Sequence, residues 1–452
     1  MSLAGKNIHF MGIGGIGVSA LADMALSAGA RVSGCDQVES ELTRRLRDRG
    51  IEVKIGHAPG HVARADILVH TSAVPPDHPE RLAAGDRQEK RGRFLARFLQ
   101  GRRSIGVSGT HGKTTSSWLL AHILIQAGLD PEVFVGGMVP DLPDGNHRRG
   151  AGPFVAELDE SDESFLLPRL RMAVVTNVES DHLAHYGSDA ALFAAFDHFA
   201  DGVAEDGLLL AGADNPGSAR LCRRHRGAKL SFGFSPGADL RAELAGPAGG
   251  GRFRVFRSGR DLGEFSLPLP GRHNIQNALA ALGAALELGV EAEAARRALA
   301  RARGVGRRLE RLGSLGGAAV YSDYAHHPTE AAASIAALRE TRPGRLLVVF
   351  QPHLYSRTRD YADAFARILA QADALILADV YPAREEPIPG VSSSLILDGA
   401  RRINADVAGP FPLETAAAVA AELAAGFATL VFMGAGDIDG AARKLLGEGG
   451  QK

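Results

Sequence analysis

The octet Ser108-Gly-Thr-His-Gly-Lys-Thr-Thr115 lies between a short apolar run at 104–107 and a helical run at 116–126. Strand, glycine loop and helix in that order point to an α/β fold, with backbone N–H groups gathered around an anion at the start of the helix. The octet has the glycine–lysine–hydroxyl ending of a phosphate loop. Val107 stands where such loops usually place their first glycine, so the pattern reads Gly109-x-x-Gly112-Lys113-Thr114. The backbone of Gly109, Thr110, His111, Gly112 and Thr115 is expected to cradle phosphates. Lys113 is expected to reach the β/γ oxygens, and the Thr114 hydroxyl to hold Mg²⁺. Only seven lysines occur in the chain, so chance is a poor explanation for one at this point.

A second glycine loop precedes it. Residues 7–11 read as a strand, Gly12-Ile-Gly14-Gly15-Ile16-Gly17 follows, and residues 18–28 read as a helix. This is G-x-G-x-x-G in its strand–turn–helix context, where glycine lets the backbone approach a diphosphate. A structural turn is the alternative. Asp36 stands 19 positions after Gly17, at the end of the next strand-like run, suited to a ribose or other sugar hydroxyl. Ser72, in the strand-end loop His70-Thr-Ser-Ala-Val74, is placed to close the same crevice.

Strand-like and helical runs alternate along all 452 residues, a length that suggests about three domains. The expected divisions are 1–100, 101–303 and 304–452, with Gly304-Val-Gly306 as a hinge. Alternating polarity around Ser258-Gly259 predicts a small antiparallel hairpin at 253–269. Lys+Arg total 51 and Asp+Glu 52, which argues against electrostatic binding of nucleic acid. Two cysteines and no long apolar run point to a cytoplasmic protein without membrane insertion. Nothing in the sequence names a protein partner.

Acids and histidines gather at strand ends. Glu157 closes an apolar run and is expected to hold metal, whereas Glu160 and Glu163 read as a solvated acidic loop. The run at 172–176 leads to Asn177-Val-Glu-Ser-Asp-His182. In the last third, polar residues follow four strand-like runs: Asp323-Tyr-Ala-His-His-Pro328, Gln351-Pro-His-Leu-Tyr-Ser-Arg357, Asp379-Val-Tyr381 and Gly434-Ala-Gly-Asp437. Open parallel sheets bind small polar ligands at that edge. Pro328 also suits the first turn of a helix, which would leave His327 structural.

With these segments in place the chain resembles the Mur ligases. The carriers are Met11 to Gly17, the octet at 108–115, Glu157-Leu-Asp-Glu-Ser-Asp162, Thr176-Asn-Val-Glu-Ser-Asp-His182, Gly271-Arg-His-Asn-Ile-Gln-Asn277, Gly304-Val-Gly-Arg-Arg308, and the segments at 323–328 and 351–357. The resemblance implies an N-terminal Rossmann-like domain for a UDP sugar, a central P-loop ATPase domain with a parallel sheet and a small antiparallel insertion, and a C-terminal Rossmann-like domain for an amino acid. It implies ATP-dependent amide formation in peptidoglycan synthesis, with L-alanine joined to UDP-N-acetylmuramate. By position, Gly12, Gly14, Gly15, Ile16 and Gly17 would hold the UDP diphosphate. Thr114, Glu157 and His182 would bind Mg²⁺, and Lys113 would act on the transferring phosphoryl group of ATP. His273 and Asn274 would lie against adenine, and Arg308 would contact phosphate. Asp323, His326, His327 and Arg357 would form the amino-acid pocket. The base for the amine is open between His182 and the histidines of the third domain.

Three positions depart from the family pattern. Leu354 stands where a basic residue is common, Ser322 where an acid is frequent, and Ala184 where an acid follows the metal histidine. No lysine occurs between Lys113 and Lys229, so the carbamylated lysine used by several Mur relatives has no counterpart, as in the alanine-adding branch. A ligase that joins a recycled peptide to the same UDP sugar is the near rival. A nicotinamide dehydrogenase would leave the phosphate loop unexplained, and a non-catalytic UDP-sugar sensor would leave the ATP and metal candidates without use.

Overall fold

The computed structural model describes all residues except 1–2, 72, 162, 182, 247–250, 384, 404–405 and 448–452. Among the described residues the strands form three sheets, of five, ten and six strands. The chain divides into two compact units.

The first unit comprises residues 1–243, 254–265 and 276–302. Its five-stranded sheet runs Glu52–Ile55, Arg31–Asp36, Asn7–Met11, Ile67–His70, Gln88–Lys90, all parallel. In the ten-stranded sheet Ser104–Ser108 lies between Leu170–Val175 and Phe154–Glu157, parallel to both. Glu132–Phe134 and His147–Arg148 extend one side, Val203–Gly212, Ala228–Gly233 and Leu240–Leu244 the other. Strands Arg252–Arg257 and Arg260–Ser266 end the sheet as the expected hairpin. Ser258 and Gly259 turn it, at φ +46° and +82°.

The first two expected domains fall into one unit because a single apolar core runs through both. Phe10, Phe94 and Leu99 share a buried cluster with Phe154, Phe165 and Phe199. The helix Arg91–Leu99 approaches so closely that a Cβ on Gly92 would lie 2.0 Å from that of Ser164.

The second unit comprises residues 244–253, 266–275 and 303–452. Its sheet runs Glu310–Leu315, Ala318–Asp323, Thr429–Met433, Leu346–Phe350, Ala374–Ala378, Val407–Phe411, with only the first strand antiparallel. Asp323 and Phe350 both register against Met433, so their following loops leave the sheet at one level. Helices Pro328–Thr341 and Tyr355–Leu369 pack apolar faces on one side, and Leu413–Leu423 and Ile438–Leu445 on the other. Among the described residues no helix is long and apolar enough to cross a membrane.

Candidate active site

Sheet register positions the phosphate loop. Val107 lies opposite Glu157 and Ser108 opposite Val175, so the loop emerges between Glu157 and Thr176. Gly109 has φ +132°, and a Cβ there would lie 2.2 Å from Thr176 Oγ1. At Gly112, φ is +80° and a Cβ would lie 2.3 Å from Asn277 Oδ1. Both conformation and space therefore demand glycine. The Thr110 N–H donates to Asn177 O at 3.1 Å and the His111 N–H to Asn177 Oδ1 at 2.8 Å. Those two N–H groups, expected on phosphate, are used to brace the loop. The helix begins at Lys113 and includes Thr114 and Thr115, three residues earlier than expected, because Gly112 caps it in the left-handed conformation. Its free N-terminal N–H groups and dipole favour an anion there.

Lys113 Nζ donates to Gly109 O at 2.7 Å, Thr110 O at 3.1 Å and Glu160 Oε1 at 2.9 Å. Glu160 is 1% exposed. The solvated loop expected at Glu160 is thus corrected: its carboxylate is buried because the Lys113 ammonium compensates it. Burial works against the lysine's charge, but Glu160, Asp159 and Glu157 outweigh it and raise its pKa. Desolvation opposes the charge on Asp159 too, and Lys113 and Arg91 lower its pKa on balance. Glu157 Oε1 accepts from Thr114 Oγ1 at 3.0 Å, and Oε2 accepts from the Gly136 N–H at 2.6 Å. A hydroxyl beside a carboxylate is an all-oxygen donor set of the kind hard divalent cations prefer.

The first glycine loop is held by its neighbours. Gly12 has φ +70°, and its N–H donates to Cys35 O at 2.9 Å. Asp36 Oδ2 accepts from the Gly14 N–H at 2.8 Å, so the carboxylate expected on a sugar hydroxyl already braces the loop. Gly15 donates to Gly12 O at 3.0 Å, and Ile16 opens the helix Ile16–Ser27. A Cβ on Gly17 would lie 2.6 Å from Arg91 Nη1, and Arg91 Nη2 lies 3.5 Å from Asp159 Oδ2. Arg91 therefore stands between the first glycine loop and the acidic loop. Ser72 and His182 lie outside the described residues.

In the second unit His326, His353, Arg357 and Tyr381 come together. Arg357 Nη1 and His353 Nδ1 are 3.3 Å apart, the His326 and His353 rings are 5.9 Å apart, and His353 stacks on Tyr381 at 5.8 Å. Leu354 caps the helix Tyr355–Leu369 at φ +71°, a region costly for a residue with a Cβ. Glu330 ties His326 to Arg308: its Oε2 accepts from the His326 N–H at 3.1 Å and its Oε1 lies 3.5 Å from Arg308 Nη1. His273 is held mainly neutral, its pKa lowered to about 4 by burial and the Arg308 charge. Asn274 Nδ2 donates to Pro270 O at 2.7 Å.

Two expected pocket residues are used by the fold itself. Asp323 is 5% exposed and accepts from the Leu309 and Ala325 N–H groups and from Ser334 Oγ. Burial raises its pKa to about 6. His327 caps Pro328–Thr341 through Nδ1, 3.3 Å from the Thr329 N–H, with Pro328 in the first turn. Ser322 donates to Asp439 Oδ1 at 2.6 Å. An acid at 322 would set two carboxylates together there, which accounts for that departure. Ala184 has no described side chain.

Sequence reasoning gave no role to Arg91, Asn277 or Glu330. Asn277 carried a signal, being one helical turn beyond His273 on the same run. Glu330 carried only its four-residue spacing from His326, and Arg91 carried none, because its partners are distant in sequence.

An ATPase-type phosphate loop with acids at adjoining strand ends, together with a separate Rossmann-like unit, defines a nucleotide-dependent ligase. Residues 7–103 match the description "Mur ligase family, catalytic domain", 107–285 "Mur ligase middle domain" and 307–436 "Mur ligase, glutamate ligase domain". The chain belongs to the Mur ligase family. It is similar to the UDP-N-acetylmuramate–L-alanine ligase of Kineococcus radiotolerans, 46% identical over 86% of this chain and 85% of that one. The protein of that name from Paenarthrobacter aurescens is 43% identical over 95% and 94%. Among solved structures, the UDP-N-acetylmuramate–alanine ligase of Thermotoga maritima superposes with TM-score 0.82, 30% identity and 98% coverage of each chain. A murein peptide ligase from Psychrobacter arcticus reaches 0.71 at 26% identity, with 99% coverage of each.

Proposed function

We propose that this protein joins L-alanine to the carboxylate of UDP-N-acetylmuramate at the expense of ATP, in peptidoglycan precursor synthesis in the cytoplasm. The observation that carries the reading is the Lys113 ammonium in the glycine loop, flanked by Thr114 and Glu157. It is supported by relatives of that name at 40–46% identity. The greater likeness to the alanine ligase than to the peptide ligase, 30% against 26%, favours alanine as the amine donor.

A carboxylate is a poor acyl donor because oxide would have to leave. Transfer of the γ-phosphoryl group to it breaks the terminal phosphoanhydride bond of ATP and forms an acyl phosphate. The neutral amine of alanine then attacks the carbonyl carbon, and phosphate leaves. Lys113 and the N-terminus of helix Lys113–Gln126 stabilise charge on the phosphoryl oxygens. Thr114 and Glu157, with His182, would hold Mg²⁺, which when bound neutralises phosphate charge. Gly12 to Gly17, backed by Arg91, bind the diphosphate of the sugar nucleotide. His273 and Asn274 take the adenine, Arg308 a phosphate, and Arg357 with His326 the amino-acid carboxylate. Domain limits near residues 100 and 303 belong to the same reading.

The test is phosphate release from ATP with UDP-N-acetylmuramate and each amino acid or a cell-wall peptide in turn, with the product weighed by mass spectrometry. Turnover with alanine and product heavier by one alanyl residue are expected. Turnover with peptide alone would overturn the reading.

A further inference from the structure

Beneath the first glycine loop lies a buried group of metal-ligating side chains that the ligase chemistry does not use. Cys35, on strand Arg31–Asp36, is fully buried. Its Sγ is 3.4 Å from His9 Nε2 and 3.2 Å from Glu80 Oε2. Glu80 is equally buried, and its Oε1 is 2.7 Å from His61 Nδ1. One ligand atom from each of His9, Cys35, His61 and Glu80 lies within 4.8 Å of all the others. His57 Nδ1 stands alongside, 3.2 Å from the sulfur and 3.4 Å from Glu80 Oε2. Four separate elements deliver the four: strands Asn7–Met11 and Arg31–Asp36, the turn Pro59–Val62 and the helix Pro79–Ala84.

We propose that His9, Cys35, His61 and Glu80 form a tetrahedral zinc site that anchors the first glycine loop. The spacing fits. Zinc–sulfur bonds of about 2.3 Å and zinc–nitrogen or zinc–oxygen bonds of about 2.0–2.1 Å place tetrahedral ligands roughly 3.3–3.6 Å apart. The charge fits as well. Glu80 is paired with the Ala58 N–H, Cys35, His57 and His61, none of them permanently cationic. A buried carboxylate with no permanent cation beside it gains from a divalent cation. On binding, the thiol releases its proton to solvent, and Zn²⁺ with one thiolate, one carboxylate and two neutral imidazoles is electrically neutral. Thiolate and imidazole select zinc over magnesium or calcium. The site reaches the loop directly. Cys35 O accepts from the Gly12 and Ile13 N–H groups at 2.9 and 3.1 Å, and the next residue, Asp36, takes the Gly14 N–H. That link to sugar-nucleotide binding rests on the function proposed above, whereas the metal site does not.

The full chain, purified without a histidine tag, is expected to carry about one zinc per chain after gel filtration. Replacement by Co²⁺ should give an intense near-ultraviolet thiolate-to-cobalt band and visible bands of tetrahedral strength. Cys35→Ser should lose the thiolate band, and Cys222→Ser should keep it. His61→Ala serves as a second variant if Cys35→Ser does not fold, and should lower Co²⁺ affinity at least tenfold. Absence of zinc together with absence of the cobalt band, or a band that survives in Cys35→Ser, would overturn the site. Zinc bound at unchanged UDP-sugar affinity after its removal would keep the site and overturn its link to the loop.

Discussion

Lys113 Nζ and Glu160 Oε1 are 2.9 Å apart, and the lysine also holds two carbonyls of its own loop. The ammonium that would meet the phosphates is thus aimed and charge-balanced by a buried acid. Lys113→Ala should cut turnover by roughly 10²–10³, the scale for one preorganised donor, while the chain stays folded at a lower Tm because Glu160 loses its counter-charge. Steady-state phosphate release checks this, and near-normal turnover would remove the loop from the mechanism.

Glu160→Gln removes the carboxylate hydrogen-bonded to the ammonium and leaves only the more distant charges of Asp159 and Glu157. Breaking one side of a buried pair costs about 3–5 kcal/mol, so the Tm should fall clearly. Phosphate can replace the lost charge. A non-hydrolysable ATP analogue should therefore raise the variant's Tm more than it raises that of the wild type. Equal increments would mean that Lys113 does not meet the nucleotide.

Glu157 accepts from the Thr114 hydroxyl, the pair expected to hold Mg²⁺. Glu157→Gln should shift the Mg²⁺ requirement for activity upward at least tenfold and leave UDP-sugar affinity within about twofold. A Mg²⁺ titration beside calorimetry decides it; an unchanged requirement would make Glu157 structural.

Arg357 stands against His353 in the second unit, with apolar Leu354 where a basic side chain is common in the family. Loss of a charge-assisted contact worth about 1.5–3 kcal/mol should raise the alanine KM of Arg357→Ala by tenfold or more, with little change in the ATP KM. Should both constants stay put, the carboxylate is bound elsewhere.

His147 sits fully buried 3.4 Å from Asp23 Oδ2, and Arg49 Nη1 is 2.5 Å from Asp23 Oδ1. Burial opposes the imidazolium, but Asp23 and Glu132 overcome it and raise the pKa above 6.5. Its contribution is complete below pH 6.5 and is lost as pH rises through the raised value. Burial also opposes the Asp23 carboxylate, yet His147 and Arg49 lower its pKa to about 2. That part is present above the ordinary aspartate value and is lost as pH falls through about 2. Chemical denaturation of the wild type from pH 6 to 9 should show falling stability, and His147→Gln should flatten the slope. A parallel slope in the variant would assign the titration to another group.

Much of the candidate site was legible because its signals are local. Gly109, Gly112 and Lys113 act within one strand–loop–helix passage. The hairpin at Ser258-Gly259 was legible for the same reason, since two residues of special φ make a turn by themselves. Glu160 was misread because a run of acids looks solvated until a cation 47 positions away is seen to compensate it. Asp323 and His327 lie at a strand end, as the sequence indicates, and only the structure shows that Asp323 and His327 Nδ1 also serve backbone N–H groups there.

By itself the sequence determined the alternation that makes parallel sheets, the two glycine loops between strand and helix and the family to which their spacing belongs. These follow from covalent order, because glycine conformations and strand–helix succession need no distant partner. Tertiary structure decided which polar groups remain for chemistry. It packed residues before and after position 100 on one apolar core, turned Asp36 inward onto Gly14, placed Arg91 at Gly17, and gathered His9, Cys35, His61 and Glu80 from four elements. Burial and charge compensation depend on contacts between residues far apart in the chain, and those contacts exist only once the sheets have set their register.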